Sequence, residues 1–246
     1  MRIIIAPAKK MRMDTDNLAP VGVPAFLPKT KMLMQWLQGL SVQEQKVVWK
    51  CNDKIAAENR ERFASMNLEG ALTPAILAYD GIQYVYMAPS VFEDGQFAYV
   101  QEHVRILSGF YGVIKPMDGV VPYRLEMQAK VDVAGANNLY DFWGNQLYRE
   151  VVDESHVIIN LASKEYSKAI EKYLQPSDRY ITCVFGELEG GKVVQKGVYA
   201  KMARGEMVRF LAEVNASETE DLKAFSGSGY CFDANRSTEH VYVFLK

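Results

Sequence analysis

His156-Val157-Ile158-Ile159-Asn160-Leu161-Ala162-Ser163-Lys164 passes from strand to helix within three residues. His156 to Leu161 is a short, largely apolar run of the kind a strand buried on both faces requires. Ser163 stands where a helix cap belongs, and Lys164 to Leu174 continues in helical pattern. Such a passage places the Ser163 side chain and free backbone N–H groups at the carboxyl edge of a strand, where α/β sheets bind anions. The plainer account of the same residues is a helix cap with no ligand.

The same alternation extends in both directions. Arg2 to Ala6 reads as a short buried strand ended by Pro7, and Val104 to Leu107 as a second, ended by Ser108-Gly109. Pro20, Gly22, Pro24 and Pro28 predict an irregular crossing over residues 14–30. Lys31 to Gln38 and about 53–65 have helical spacing, and Ser41 with Glu44 forms a capping box that opens a helix between them. Ala75 to Ala78 makes a helical turn, Tyr84 to Met87 fits either state, and Phe97 to His103 reads as helix. Gly119 to Met127 reads as a turn and short strand, and Leu139 to Val152 as one amphipathic helix. Tyr180 to Glu187 and Lys192 to Tyr199 flank Gly190-Gly191 as a hairpin. Ala200 to Asn215 is helical, Tyr230 to Asp233 is strand-like, and His240 to Leu245 is a terminal strand. No linker or repeat interrupts the series. The prediction is one α/β (mixed α+β) domain over 1–246, a mixed sheet surrounded by helices.

The chain has 246 residues, 49% hydrophobic, with 28 Lys+Arg against 30 Asp+Glu, so its net charge of -2 gives no whole-molecule signature of a polyanion partner. The first 65 residues nevertheless carry 11 basic and 6 acidic side chains, which suggests a local basic surface on a mildly acidic body. The amino terminus lacks the pattern of a signal peptide, and no run approaches a membrane span. Cys51, Cys183 and Cys231, odd in number and far apart, fit reduced thiols. A cytoplasmic location without membrane attachment is expected.

Four segments are candidates for chemistry. Gly39-Leu40-Ser41 has the form of a hairpin turn whose following helix points N–H groups outward, with Lys46 and Lys50 four apart on one face to add charge. Phosphates gripped there would be read without regard to base sequence. Asn160 and Ser163 mark the strand–helix passage. Lys201 and Arg204 share a helical face, and Gly205 within that helix implies close backbone packing or ligand approach. Leu107 to Asp118, followed by Pro122 to Met127, supplies Ser108, Tyr123, Arg124 and Glu126 as one wall of a site. Its glycines match neither a phosphate-binding P-loop nor a dinucleotide fingerprint. His103, His156 and His240 have no partners at ligand spacing, so no metal or other cofactor is expected. Cys231, among aromatic residues, is expected to be a buried hydrophobe.

Several of these stretches together resemble the YaaA peroxide-stress family. They are Ala6-Pro7-Ala8-Lys9, Ala75 to Gly81, Leu107 to Gly112, Pro122-Tyr123-Arg124-Leu125-Glu126-Met127, Leu139 to Gly144, Asn160 to Ser163 with Tyr166, Ala203-Arg204-Gly205, and Gly229 to Asp233. They occur in order along nearly the whole chain. The resemblance implies a bacterial cytosolic protein of the peroxide-stress response, linked to lower free intracellular iron and to protection of DNA. It implies a distinctive mixed α/β fold with a helix-hairpin-helix element, here at about residues 31–64, and a positively charged cleft. It further implies binding of duplex and branched DNA without strong sequence preference.

Two functional expectations follow. The leading one is a DNA-binding protein using the hairpin residues Gly39, Leu40, Ser41, Lys46 and Lys50. Beside it stands a cleft of Lys9, Ser108, Tyr123, Arg124, Glu126, Asn160, Ser163, Lys201 and Arg204. The alternative is an enzyme acting on a nucleotide or phosphorylated substrate in that cleft, where a carboxylate among cations can do acid–base work. No catalytic residue is assigned by motif.

Overall fold

Ile3, Ile4 and Ile5 are all fully buried in the computed structural model, which describes residues 1–246. Three consecutive buried residues cannot lie in a strand with one wet face, so β1 (Arg2–Ile5) must be covered on both sides. It sits in the middle of the main sheet. The other strands are β2 (Val104–Ser108), β3 (Gly112–Ile114), β4 (Val157–Leu161), β5 (Arg179–Glu189), β6 (Lys192–Val194), β7 (Cys231–Phe232) and β8 (Val241–Leu245). Their order is β7-β8-β5-β4-β1-β2-β3, with β6 pairing to the outer end of β5. The five central strands are parallel and in register, for instance Ile3 beside Ile159 on one side and Val104 on the other. The edge strands β3 and β7 are antiparallel.

The chain leaves β1 for β2 on one side, then crosses back to place β4, β5 and β8 on the other. The order therefore reverses between β1 and β4. In open α/β sheets that reversal opens a crevice beyond the carboxyl ends of the two strands. Here the crevice is bounded by residues 6–10 after β1 and by residues 162–166 after β4.

Ten α-helices cover the sheet and its ends. They are α1 (Leu27–Gly39), α2 (Val42–Trp49), α3 (Asp53–Ala64), α4 (Ala75–Ala78), α5 (Ile82–Met87), α6 (Asp94–His103), α7 (Leu139–Trp143), α8 (Gln146–Val151), α9 (Lys164–Glu171) and α10 (Gly197–Glu213). One continuous core joins them, with Trp143 fully buried and its Nε1 donating to the Gly109 carbonyl at 3.0 Å. A mixed α/β fold with a single core is what the alternation of elements predicts.

Several local expectations need correction. The crossing expected to run to residue 30 ends earlier, because Pro28 occupies the first turn of α1, where a missing N–H costs nothing. The helix expected over Leu139–Val152 is two short helices, broken by Gly144 at φ +57°. The second arm of the Gly190-Gly191 hairpin lasts only three residues before α10 begins at Gly197. Only Gly119–Val120 of the 119–127 stretch forms a strand. Ser163 precedes α9 but makes no capping hydrogen bond, and the helix ends at Glu171 instead of Leu174. Cys231, expected to be buried, is exposed on an edge strand, while Cys183 on β5 is the buried thiol. No helix is long and apolar enough to cross a membrane.

Candidate anion-binding site

A cavity of about 320 Å³ occupies the crevice at the β1–β4 reversal. Three separate parts of the chain bring cations to it: Lys9 and Lys10 from the loop after β1, Arg124 from the 121–127 segment, and Lys201 and Arg204 from α10. Asp80, Glu126 and Glu165 also line it, so five cations face three carboxylates. Tyr84, Tyr123 and Tyr166 close its floor. Ser163 lies on the wall, at the uncapped start of α9.

Close backbone packing fixes these elements. A Cβ on Gly205 would collide with the Gln83 carbonyl and crowd the Met87 amide, so α10 lies directly against α5. A Cβ on Gly81 would stand 2.7 Å from Cβ of Ala8, which pins the start of α5 to the loop after β1. A Cβ on Gly109 would stand 2.5 Å from the Leu125 carbonyl, and this holds the 121–127 segment against the end of β2. Tyr84 donates to the Ala6 carbonyl at 3.0 Å. Of the two readings that Gly205 allowed, close packing is the one realised.

The cations are not equivalent. Glu126 lies between Lys9 at 2.9 Å and Arg124 at 3.2 Å, one carboxylate oxygen facing each. Arg124 also donates to the Trp49 carbonyl at 3.5 Å. Arg204 has no such partner. Its Nε is buried without a hydrogen bond, and burial lowers the guanidinium below its usual range. The nearby Cys183 thiol, pushed up to about 12 by burial and therefore neutral, supplies no counter-charge. Arg204 is half-buried, and a partly desolvated guanidinium with no counter-ion is costly unless an anion completes it. Lys201 is exposed one helical turn before it.

The carboxylates differ in the same way. Burial raises Glu165, repulsion from Glu126 adds to the shift, and the Gln128 N–H donating to it at 3.3 Å opposes it. Glu126 lies between two cations. The cavity thus holds one carboxyl disposed to keep a proton beside one that is ion-paired.

Two residues expected in the cleft are not on its surface. Ser108 is fully buried behind it, accepting from the amides of Phe110 at 3.2 Å and Tyr111 at 2.9 Å and sharing a 2.6 Å hydrogen bond with the Tyr123 hydroxyl. Asn160 is buried at the end of β4, where Oδ1 accepts from Ala162 N–H at 2.9 Å and Nδ2 donates to Thr182. Both shape the site's floor without facing a ligand. Asp80 lies in the Ala75–Gly81 stretch that carries the resemblance but is not among the residues expected in the cleft, and Glu165 belongs to no recognisable motif.

The hairpin lies outside this cavity. At Ser41 the Glu44 carboxylate accepts from Ser41 N–H at 2.8 Å and from Ser41 Oγ at 2.6 Å, so the start of α2 already carries an anion of its own. Lys46 is ion-paired to Asp53 at 2.5 Å. Gly39 is an ordinary last helical residue, Leu40 is the extended residue after it, and Lys50 ends α2 in a left-handed conformation. The basic excess of the first 65 residues is spread out. Arg2 pairs with Glu102 and Asp153, Lys31 with Glu69, and only Lys9 and Lys10 reach the cavity.

Fold and site together define a mixed α/β protein with a cationic cavity at a sheet switch point. The chain belongs to the peroxide stress protein YaaA family, whose model matches residues 1–236. It is similar to a UPF0246 protein of Agathobacter rectalis, 59% identical over 99% of this chain and 98% of that one. A UPF0246 protein of Desulfitobacterium hafniense is 55% identical over 100% and 98%, and one of Lachnoclostridium phytofermentans 54% over 100% and 96%.

Proposed function

We propose that this peroxide-stress family member binds DNA through the cavity at the β1–β4 reversal, without reading base sequence, and thereby shields DNA from oxidation. The observation that carries this reading is Arg204, a guanidinium without a counter-ion at the foot of a cavity that Lys10 and Lys201 also line. Phosphate oxygens are the partners such a set favours. The hairpin takes at most a secondary part, because Glu44 already occupies the Ser41 N–H and Asp53 pairs with Lys46. Lower free iron, which kinship to the family suggests, would be an indirect consequence of this activity.

The test is the salt dependence of DNA affinity. Removing one cation that neutralises a phosphate should reduce the slope of log affinity against log salt by about 0.9. Lys10→Ala with Lys201→Ala should therefore flatten it by about 1.8 and weaken binding to all sequences alike. An unchanged slope would remove the cavity from DNA binding.

A second reading is an enzyme acting on a nucleotide or phosphorylated substrate. It is favoured by Glu165 and Glu126, two carboxyls in one cavity whose surroundings differ, a raised one beside an ion-paired one. Turnover of a nucleotide that Glu165→Gln abolishes would establish it.

A further inference from the structure

The cavity is cationic enough to hold DNA and too small to hold a duplex. Its volume of about 320 Å³ lies at the lower end of the range for small-molecule sites. It has little scope to widen, because Gly81 is packed on Ala8 and Gly205 on Gln83 with no room for even a methyl group. Arg204 is half-buried in it, and its Nε has no access to solvent. A phosphate whose nucleotide stays stacked in a double helix is held at the helix surface and cannot descend to that guanidinium.

We propose that the cavity takes a single unpaired nucleotide, its phosphate on Arg204 and Lys201 and its sugar and base against the wall formed by Ala8, Ile82 and Ser163. The proposal rests on the reading that DNA is held at this cavity, and adds to it the form in which DNA enters. The remaining surface suits such a ligand. Ile82 and Ala8 offer apolar contact, and Glu165 can accept hydrogen bonds from a base amino group. A nucleotide already unpaired needs no energy to leave the stack, whereas a paired one costs a few kcal/mol to extrude. The chain should therefore favour DNA with unpaired positions over fully paired DNA by about tenfold or more.

The whole protein is titrated with two duplexes of equal length, one fully paired and one carrying a single bulged nucleotide, a fluorescent adenine analogue standing at the same position in both. The expected result is tighter binding of the bulged duplex by about tenfold and a protein-dependent change in fluorescence there. Arg204→Met should remove the preference. Lys201→Met, on an exposed position, should reduce it and serves if the substitution at the half-buried Arg204 does not fold. In parallel, millimolar deoxynucleoside monophosphate should raise the melting temperature, whereas the nucleoside should not. Equal affinity for both duplexes, no fluorescence change and no effect of monophosphate would overturn the proposal while leaving DNA binding in place. If instead neither duplex binds but monophosphate stabilises the protein, the single-nucleotide pocket stands and the DNA reading falls.

Discussion

Gly205 and the Gln83 carbonyl are in such close contact that a Cβ on the glycine would overlap the carbonyl oxygen. The site depends on this contact, since it sets α10, and with it Arg204 and Lys201, against the start of α5. Gly205→Ala is expected to destabilise the protein by about 3 kcal/mol or more, the range of a strained, overpacked core. Gly95, within α6, has open space around a Cβ. Gly95→Ala should therefore be neutral or stabilise by up to about 1 kcal/mol. Urea midpoints of the two variants check the pair, and a Gly205→Ala protein as stable as wild type would show that the helices can separate without cost.

Ser108 has a similar role from beneath the cavity. Its hydroxyl serves two amides and the Tyr123 hydroxyl, which in turn bonds Tyr79 at 2.8 Å. Ser108→Ala leaves these buried groups short of a partner and should cost about 1–3 kcal/mol. Because the side chain does not face the cavity, affinity for DNA at a temperature where the variant is fully folded should change less than about twofold, on the order of a surface substitution. A large loss of affinity in a folded variant would place Ser108 in the site itself.

The contrast between Ser108 and Lys201 shows what the sequence can and cannot disclose. Strand runs such as Arg2–Ile5 and Val157–Leu161 are legible because burial on both faces demands consecutive apolar residues. Cations at element ends, such as Lys9, Arg124, Lys201 and Arg204, are legible as polar exceptions, and the fold brings all four to one cavity. Whether a polar side chain next to them faces in or out is decided by a rotation of one residue about the backbone, which sequence spacing does not fix for Ser108 or Asn160. Ion pairing is similarly hidden. Glu69 and Asp53, which neutralise Lys31 and Lys46, stand 38 and 7 residues from them and signal nothing in a local reading of charge.

Stability should depend on pH through Asp118. Burial raises its pKa from 3.8 to about 6, although the Lys115 N–H donating at 2.8 Å favours the charged form. The native state thus binds the proton more tightly than the unfolded chain. This contribution to stability is complete below about pH 4 and is lost as pH rises through about 6. Asp118→Asn keeps the shape and an oxygen for the Lys115 amide while removing the buried charge. It should stabilise the protein at pH 7.5 by about 3 kcal/mol and have little effect at pH 4. Melting curves at the two pH values measure the difference, and a variant destabilised at both would mean that the carboxylate has a further partner beyond the Lys115 amide.

The hairpin residues separate two ways of binding DNA. If phosphate were held at the start of α2, Glu44 would have to leave Ser41 and Lys46 would have to leave Asp53. The Ser41 hydroxyl holds Glu44 below its usual range, so the carboxylate is charged and in place at neutral pH. Lys46→Ala with Lys50→Ala should then change DNA affinity less than about threefold and flatten the salt slope by less than about 0.9, the value for a single neutralised phosphate. Glu44→Ala, which leaves no oxygen for the Ser41 N–H, provides the converse measurement. It weakens the cap and so lowers the melting temperature, and if the hairpin were the main site it would also free the N–H groups and raise affinity several-fold. With the cavity as the site, Glu44→Ala loses stability without gaining affinity, and titrations of this variant beside Lys10→Ala/Lys201→Ala assign the phosphate contacts to one place or the other.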